Sequence, residues 1–228
     1  MGRTILARHE SWPLAQAFRI SRGVKTAADV MVVEIIQDGV RGWAEAVPYP
    51  RYNQTIESGL AEVDAVRRAV EEGASRHELM TMMAPSAARN ALDCALWDLE
   101  AKMTGIPVWH LAGLETPVDL VTAYTLSLDT PEAMGQSAAT HAARSLLKIK
   151  LDGEMVLERV RAVRQGAPES RLVVDANEAW SIDLLREIGD ALKSLGVEMI
   201  EQPLPADDDT GLAGFTSPVT LCADESCH

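Results

Sequence analysis

Cysteine is scarce in this chain: Cys94, Cys222 and Cys227 are the only three, and their spacing matches no zinc pattern. So small and odd a set excludes a disulfide-stapled scaffold and points to a reduced compartment. Positive charge is short as well. Lys and Arg number 21 against 34 Asp and Glu, a net charge of −13. That leaves neither a basic footprint for nucleic acid nor a basic helix for a membrane surface. No apolar run approaches the roughly 18 residues that span a bilayer. The opening MGRTILARHE lacks the apolar core of a secretory leader. A cytoplasmic protein with a small-molecule partner is expected, and homo-oligomerisation is compatible with that.

What is present divides in two. The 228 residues, 47% apolar, suffice for one large domain or two smaller ones. TILARHESWPL and VMVVEIIQDGVRGWAEAVP read as β structure, the second as a hairpin about its Asp-Gly. RISRGVKTAA between them reads as a loop, and the prolines of PYPRYNQ disfavour regular structure. From Thr55, a candidate N-cap, the period becomes helical. In SAARNALDCALWDLEAKMTG, Ala91, Ala95, Leu96 and Leu99 share one face and Gly105 marks the stop. Residues 1–112 are therefore expected to form an α+β domain.

Residues 113–228 alternate strand with helix. The expected strands are PVDLVTAYTLSL, SLLKIKL, RLVVDAN, VEMIEQP and PVTLCADE, with amphipathic helices between the first four and a short polar helix before the fifth. This is the signature of parallel β/α units. Charged residues recur at the strand ends. From Lys150 to Asp175 to Glu201 to Asp224 the steps are 25, 26 and 23 residues, close to the ~30 residues of one unit of a (β/α)8 barrel. Strand ends in such a barrel converge on one mouth, so the spacing predicts three carboxylates meeting at a common point.

Three carboxylates repel one another unless a cation lies between them. Their oxygens are hard and include no thiolate or imidazole, which selects one Mg²⁺, with Mn²⁺ as the alternative. Between the neighbours Asp224 and Glu225, strand alternation puts the two on opposite faces. Asp224 is the better ligand by spacing, with Glu225, like Asn177, supporting the site. Lys148 and Lys150 stand i, i+2 on one strand and share a face. A like charge and partial burial lower an ammonium pKa, and about 3 units are needed for a base near neutrality. A lysine base with a divalent cation suits removal of a proton α to a carboxylate, the resulting enediolate being stabilised electrostatically.

SRG, PYPRY, ARNALDCALWDLEAK, LLKIKLD, VVDANEAW, EQPLPADDD and LCADESCH together resemble the enolase superfamily. The resemblance falls in its muconate-lactonising-type subgroup and is nearest the L-Ala-D/L-Glu dipeptide epimerases of peptidoglycan peptide metabolism. It implies an α/β fold, with an α+β capping domain on an enolase-like modified TIM barrel. It also implies Asp175, Glu201 and Asp224 as Mg²⁺ ligands, Lys150 as acid/base and Lys148 tuning it. Arg22, Tyr49, Tyr52 and Thr125 would line the substrate pocket, with Arg22 pairing a glutamyl carboxylate. A cycloisomerase, an o-succinylbenzoate synthase or a non-catalytic remnant would share the ligands. Only about five of the barrel strands are expected within residues 113–228, leaving about 100 residues of such a barrel outside. The family's second lysine, on a sixth strand, has no counterpart among Lys25, Lys102, Lys148, Lys150 and Lys193, and His228 is a poor substitute. A truncated chain is the expectation.

Overall fold

The computed structural model describes residues 2–227; His228 lies outside them. They group into two compact units. One comprises residues 2–13 with 27–118; the other comprises residues 14–26 with 119–227.

The first unit is built on an antiparallel sheet. Strands β1 (Thr4–Ile20), β2 (Gly23–Gln37) and β3 (Val40–Ala46) lie in that order, and the tip of the β1–β2 hairpin is counted with the second unit. β2 and β3 pair from Met31 opposite Ala46 to Gln37 opposite Val40. Asp38 and Gly39 turn between them with φ of 51° and 81°, the positive pair that a two-residue hairpin turn demands. The expected loop over residues 19–28 is a correction: strand runs to Ile20 and resumes at Gly23. Continuing the hairpin ladder satisfies backbone groups that a polar loop would leave to water.

Three longer helices and one short turn complete the unit: α1 (Ile56–Glu71), α2 (Arg76–Met82), α3 (Ala87–Thr104) and α4 (Val108–Leu111). Thr55 caps α1, accepting from the Ser58 N–H while Ser58 returns a bond to the Thr55 N–H. α3 buries Ala91, Ala95, Leu96 and Leu99, then stops at Gly105 with φ 71°. Helix and sheet meet at Gly42, where an added Cβ would lie 2.3 Å from the Ala95 carbonyl oxygen and 2.6 Å from Leu99. No side chain fits there.

The second unit holds a parallel five-stranded sheet: β4 (Tyr124–Leu126), β5 (Leu146–Lys150), β6 (Arg171–Asp175), β7 (Val197–Glu201) and β8 (Thr220–Cys222), in chain order. Helices α5 (Pro131–Thr140), α6 (Val156–Gly166) and α7 (Ile182–Ser194) connect the first four. Strand and helix alternate because apolar residues fall at every second position in one and every third or fourth in the other. Leu147, Ile149, Leu172, Val174 and Ile200 pack with Val160, Val163, Leu185 and Leu192 of the helices in one core. Burying each such side chain contributes about 1.5–3 kcal/mol. Two expectations shrink. Of PVDLVTAYTLSL only Tyr124–Leu126 is strand, since Val118, Leu120 and Val121 are exposed. The polar helix before β8 is a single 3-10 turn at Thr210–Leu212, too rich in Pro, Asp and Gly for more.

Candidate active site

The register of the parallel sheet decides what meets at the strand ends. Lys150 lies opposite Asp175, and Asp175 opposite Glu201. Leu147, Ile149 and Leu151 take the helix-facing side of β5, so Lys148 and Lys150 take the other. Thr125 of β4 lies opposite Lys148 and is half-buried. β7 needs a correction to its alternation. Val197 and Glu201 are four apart and would share a face in a regular strand. The β6–β7 register slips between Leu172 and Val173, passing over Glu198. Val197 and Ile200 thereby stay in the core while Glu201 stays beside Asp175. A bulge that re-aims a side chain is common next to active sites.

The lysines and carboxylates form one cluster. Lys148 Nζ lies 2.6 Å from Glu201 Oε1 and 2.9 Å from Asp175 Oδ2; Lys150 Nζ lies 2.6 Å from the same Oδ2 and 3.0 Å from Asn177 Oδ1. The other Asp175 oxygen accepts the Asn177 N–H at 2.9 Å. The Asp175 side chain is 1% exposed. Burial alone would raise its carboxyl pKa, but the Lys150 and Lys148 ammoniums hold it below the ordinary range. For Glu201 burial wins, aided by the Asp175 charge and opposed by Lys148, and the carboxyl is raised. Burial draws the Lys148 ammonium down, yet its bonds to Glu201 and Asp175 leave it raised. The expected lowering of an amine by burial and a like charge is thus corrected at Lys148: carboxylates stand closer to it than any cation.

Asp224 stands apart from that cluster. β8 ends at Cys222, opposite Glu201, so Asp224 lies two residues past the ladder and is exposed. Among the described residues no three His, Cys, Asp or Glu side chains are gathered to hold a metal ion. Asp175 and Glu201 converge on one cation, the Lys148 ammonium; Asp224 does not join them. Nor does strand alternation separate Asp224 from Glu225, since both follow the strand. Glu225 is buried, with Oε1 2.7 Å from Arg22 and Oε2 lacking a hydrogen-bond partner. The chemistry of Asp175 and Glu201 fits a hard divalent ion: one buried and one partly buried carboxylate already converge on the Lys148 ammonium.

The tip of the β1–β2 hairpin stands at the same strand ends. Arg22 bonds the Asn177 carbonyl at 3.1 Å and Glu178 Oε2 at 2.9 Å in addition to Glu225. Ser21 donates to the same carbonyl at 3.3 Å. Tyr49 and Tyr52 belong to the first unit, where their rings lie 6.0 Å apart. Sequence reasoning overlooked Glu178 and Gln202. Glu178 accepts from Arg22 and from the Ala206 N–H. Gln202 is 3% exposed, with a φ of 34°. The available signal was polarity directly after a strand-end acid, in DANE and in EQP.

A parallel β/α sheet with lysines on one strand and acids at the ends of the next two defines a class of acid/base enzyme. The chain belongs to the mandelate racemase/muconate lactonizing enzyme family of the enolase superfamily. Residues 2–113 match the model of that family's N-terminal domain, and residues 129–228 match the enolase C-terminal domain-like model. The chain is 44% identical to the L-Ala-D/L-Glu epimerase of Escherichia coli K12, over 99% of its own length and 71% of that protein's. It is also 44% identical to the N-acetyl-D-glutamate racemase of a Pseudoalteromonas species, over 87% of its length and 64% of the racemase. Among solved structures, an enolase family member from Agrobacterium tumefaciens with bound sodium and L-Ala-L-Glu superposes with a TM-score of 0.94. It is 46% identical, covering 99% of this chain and 69% of that one. The Enterococcus faecalis dipeptide epimerase with Mg and L-Leu-L-Tyr gives a TM-score of 0.88 at 28% identity, covering 100% and 69%. No helix among the described residues is long and apolar enough to cross a membrane.

Proposed function

We propose that the chain carries the metal-dependent half of a dipeptide epimerase site, acting on the α-carbon of the glutamate in L-Ala-D/L-Glu. Residues 1–112 serve as capping domain and 113–228 as barrel, in a cytoplasmic protein of peptidoglycan peptide metabolism. The observation that carries this reading is the Lys148 ammonium held between Asp175 and Glu201, with Lys150 on the same face. Asp175, Glu201 and Asp224 would hold Mg²⁺, which when bound supplies positive charge against the carboxylate whose α-proton is leaving. Lys150 takes that proton at Nζ, for which its bond to Asp175 must first loosen. Lys148 stands on the same face beside Lys150 and tunes it. Asn177 Oδ1 orients the Lys150 amine. Thr125 lies on the substrate face, Tyr49 and Tyr52 act from the capping domain, and Arg22 pairs the glutamyl side-chain carboxylate. Glu225 supports Arg22.

A second reading shares the chemistry. The racemase of N-acetyl-D-glutamate matches at the same 44% identity as the dipeptide epimerase, over 201 residues against 228, and both names describe a glutamate acylated on nitrogen. Proton NMR in D₂O with Mg²⁺ tests both. Deuterium should enter the glutamyl α-position of L-Ala-D-Glu or L-Ala-L-Glu and stop on chelation. Exchange confined to N-acetylglutamate would select the second reading, and exchange in neither would defeat both.

A further inference from the structure

Gln202 makes more bonds than its place in a turn requires. Its Oε1 accepts the backbone N–H groups of Asp224 at 2.9 Å and Ser226 at 3.0 Å. Its Nε2 donates to the Leu204 carbonyl and to Ser226 Oγ, both at 2.8 Å. That uses two acceptor sites and two donors, the full capacity of a primary amide. Donors at one end and acceptors at the other leave the amide one orientation. The backbone is also committed: the Gln202 N–H donates to the Cys222 carbonyl at 2.8 Å, and its carbonyl accepts the Glu178 N–H at 2.9 Å. One buried residue therefore ties the exits of β6, β7 and β8 together, directly after Glu201. It does so in a left-handed conformation that costs a non-glycine residue about 1–2 kcal/mol.

We infer that Gln202 is the positioning residue of the turn that carries Asp224, holding that carboxylate within reach of the ion bound by Asp175 and Glu201. This rests on the reading of Asp224 as a ligand. β8 ends before Asp224, so no ladder bond fixes the turn; the Gln202 amide replaces it. A hydrogen bond to a neighbour of a ligand sets how much of the ligand's motion must be lost on binding, and removing such partners costs about 10–100-fold in metal affinity.

Two measurements on the 228-residue chain test this. Hydrogen exchange of the metal-free protein reports the Asp224 and Ser226 amides, and electron paramagnetic resonance of free Mn²⁺ reports affinity. Gln202→Leu should strip protection from both amides and weaken Mn²⁺ about 10–100-fold. Gln202→Glu keeps the acceptor for the two N–H groups but sets an oxygen against the Leu204 carbonyl, so it should protect both amides better and lose less Mn²⁺ affinity than Gln202→Leu, an order that a merely structural role would not give. Asp224→Asn should lose Mn²⁺ affinity but keep the protected amides. Should Gln202→Leu not fold, Gln202→Asn, whose shorter amide cannot reach both N–H groups, stands in its place. Native Mn²⁺ affinity in that variant, beside a weakened Asp224→Asn, overturns the proposal. Native affinity in Asp224→Asn instead defeats the ligand reading, and amide exchange then decides separately whether Gln202 holds the turn.

Discussion

Each unit sets a carboxylate between two cations, and the pair are worth comparing. In the first, Glu34 takes Arg8 on one oxygen at 2.6 Å and Arg41 on the other at 3.1 Å; both arginines are about half exposed, at 46% and 58%. In the second, Asp175 takes Lys150 and Lys148 on a single oxygen, and those lysines are 12% and 21% exposed. The arginines can swing into water at little cost. The lysines are fixed by a central strand whose alternate residues are core, so their charge stays beside Asp175 whatever the solvent does. In the first cluster a buried carboxylate meets arginines that reach water; the second is a charge balance that must be kept or replaced.

The largest effect expected from breaking that balance is chemical. Lys150→Ala should lower α-deuterium incorporation into L-Ala-D/L-Glu by about 10²–10⁴-fold. Unchanged exchange would remove Lys150 from the mechanism. Next comes Asp175→Ala, which leaves two partly buried ammoniums with one carboxylate; urea unfolding should show a loss of about 3–5 kcal/mol. A loss below that of Glu34→Gln would mean the Asp175 cluster is no more demanding than the Glu34 one. Packing comes third. Gly42→Ala drives a methyl into α3 and should destabilise the first unit by about 1–3 kcal/mol, visible as a lower melting midpoint.

Glu34→Gln should have the smallest effect, about 1 kcal/mol, because the arginines can turn to water while the buried amide keeps a hydrogen bond, and added salt should shrink it further. Its pH dependence has a definite sign. The Arg8 guanidinium, outweighing burial, holds the Glu34 carboxyl below its ordinary 4.5. The stabilisation is therefore complete above pH 4.5 and lost as pH falls through the lower folded value. Native and variant melting points should differ at pH 7 and converge on acidification; a gap that widens in acid would contradict the assignment.

Much of this was legible in the sequence, for physical reasons that differ by element. Thr55, Gly105 and the Asp38–Gly39 turn act locally, so local pattern finds them. The strand-end spacing carried more than a unit repeat. The step from Lys150 to Asp175 is 25 residues and matches the β5–β6 register, while the step of 26 to Glu201 contains the bulge at Glu198. The last step runs past the ladder: β7 and β8 register Glu201 with Cys222, so a residue 23 positions on lies beyond the strand. Counting along a chain cannot tell the last ladder residue from the turn that follows it. Nor can it foresee that lysines close enough to serve as bases are close enough to be claimed by the acids. Gln202 was illegible because its partners are backbone groups, which every sequence contains.

Asn177, Glu178 and Gln202 have φ of 43°, 68° and 34°, none of them glycine. Glycine would relax the backbone by about 1–2 kcal/mol at each, but it would strip away a side chain that ties Lys150, Arg22 or the Asp224 turn. At Gln202 four hydrogen bonds outweigh that relief, so the strain there is held by the same contacts that shape the centre.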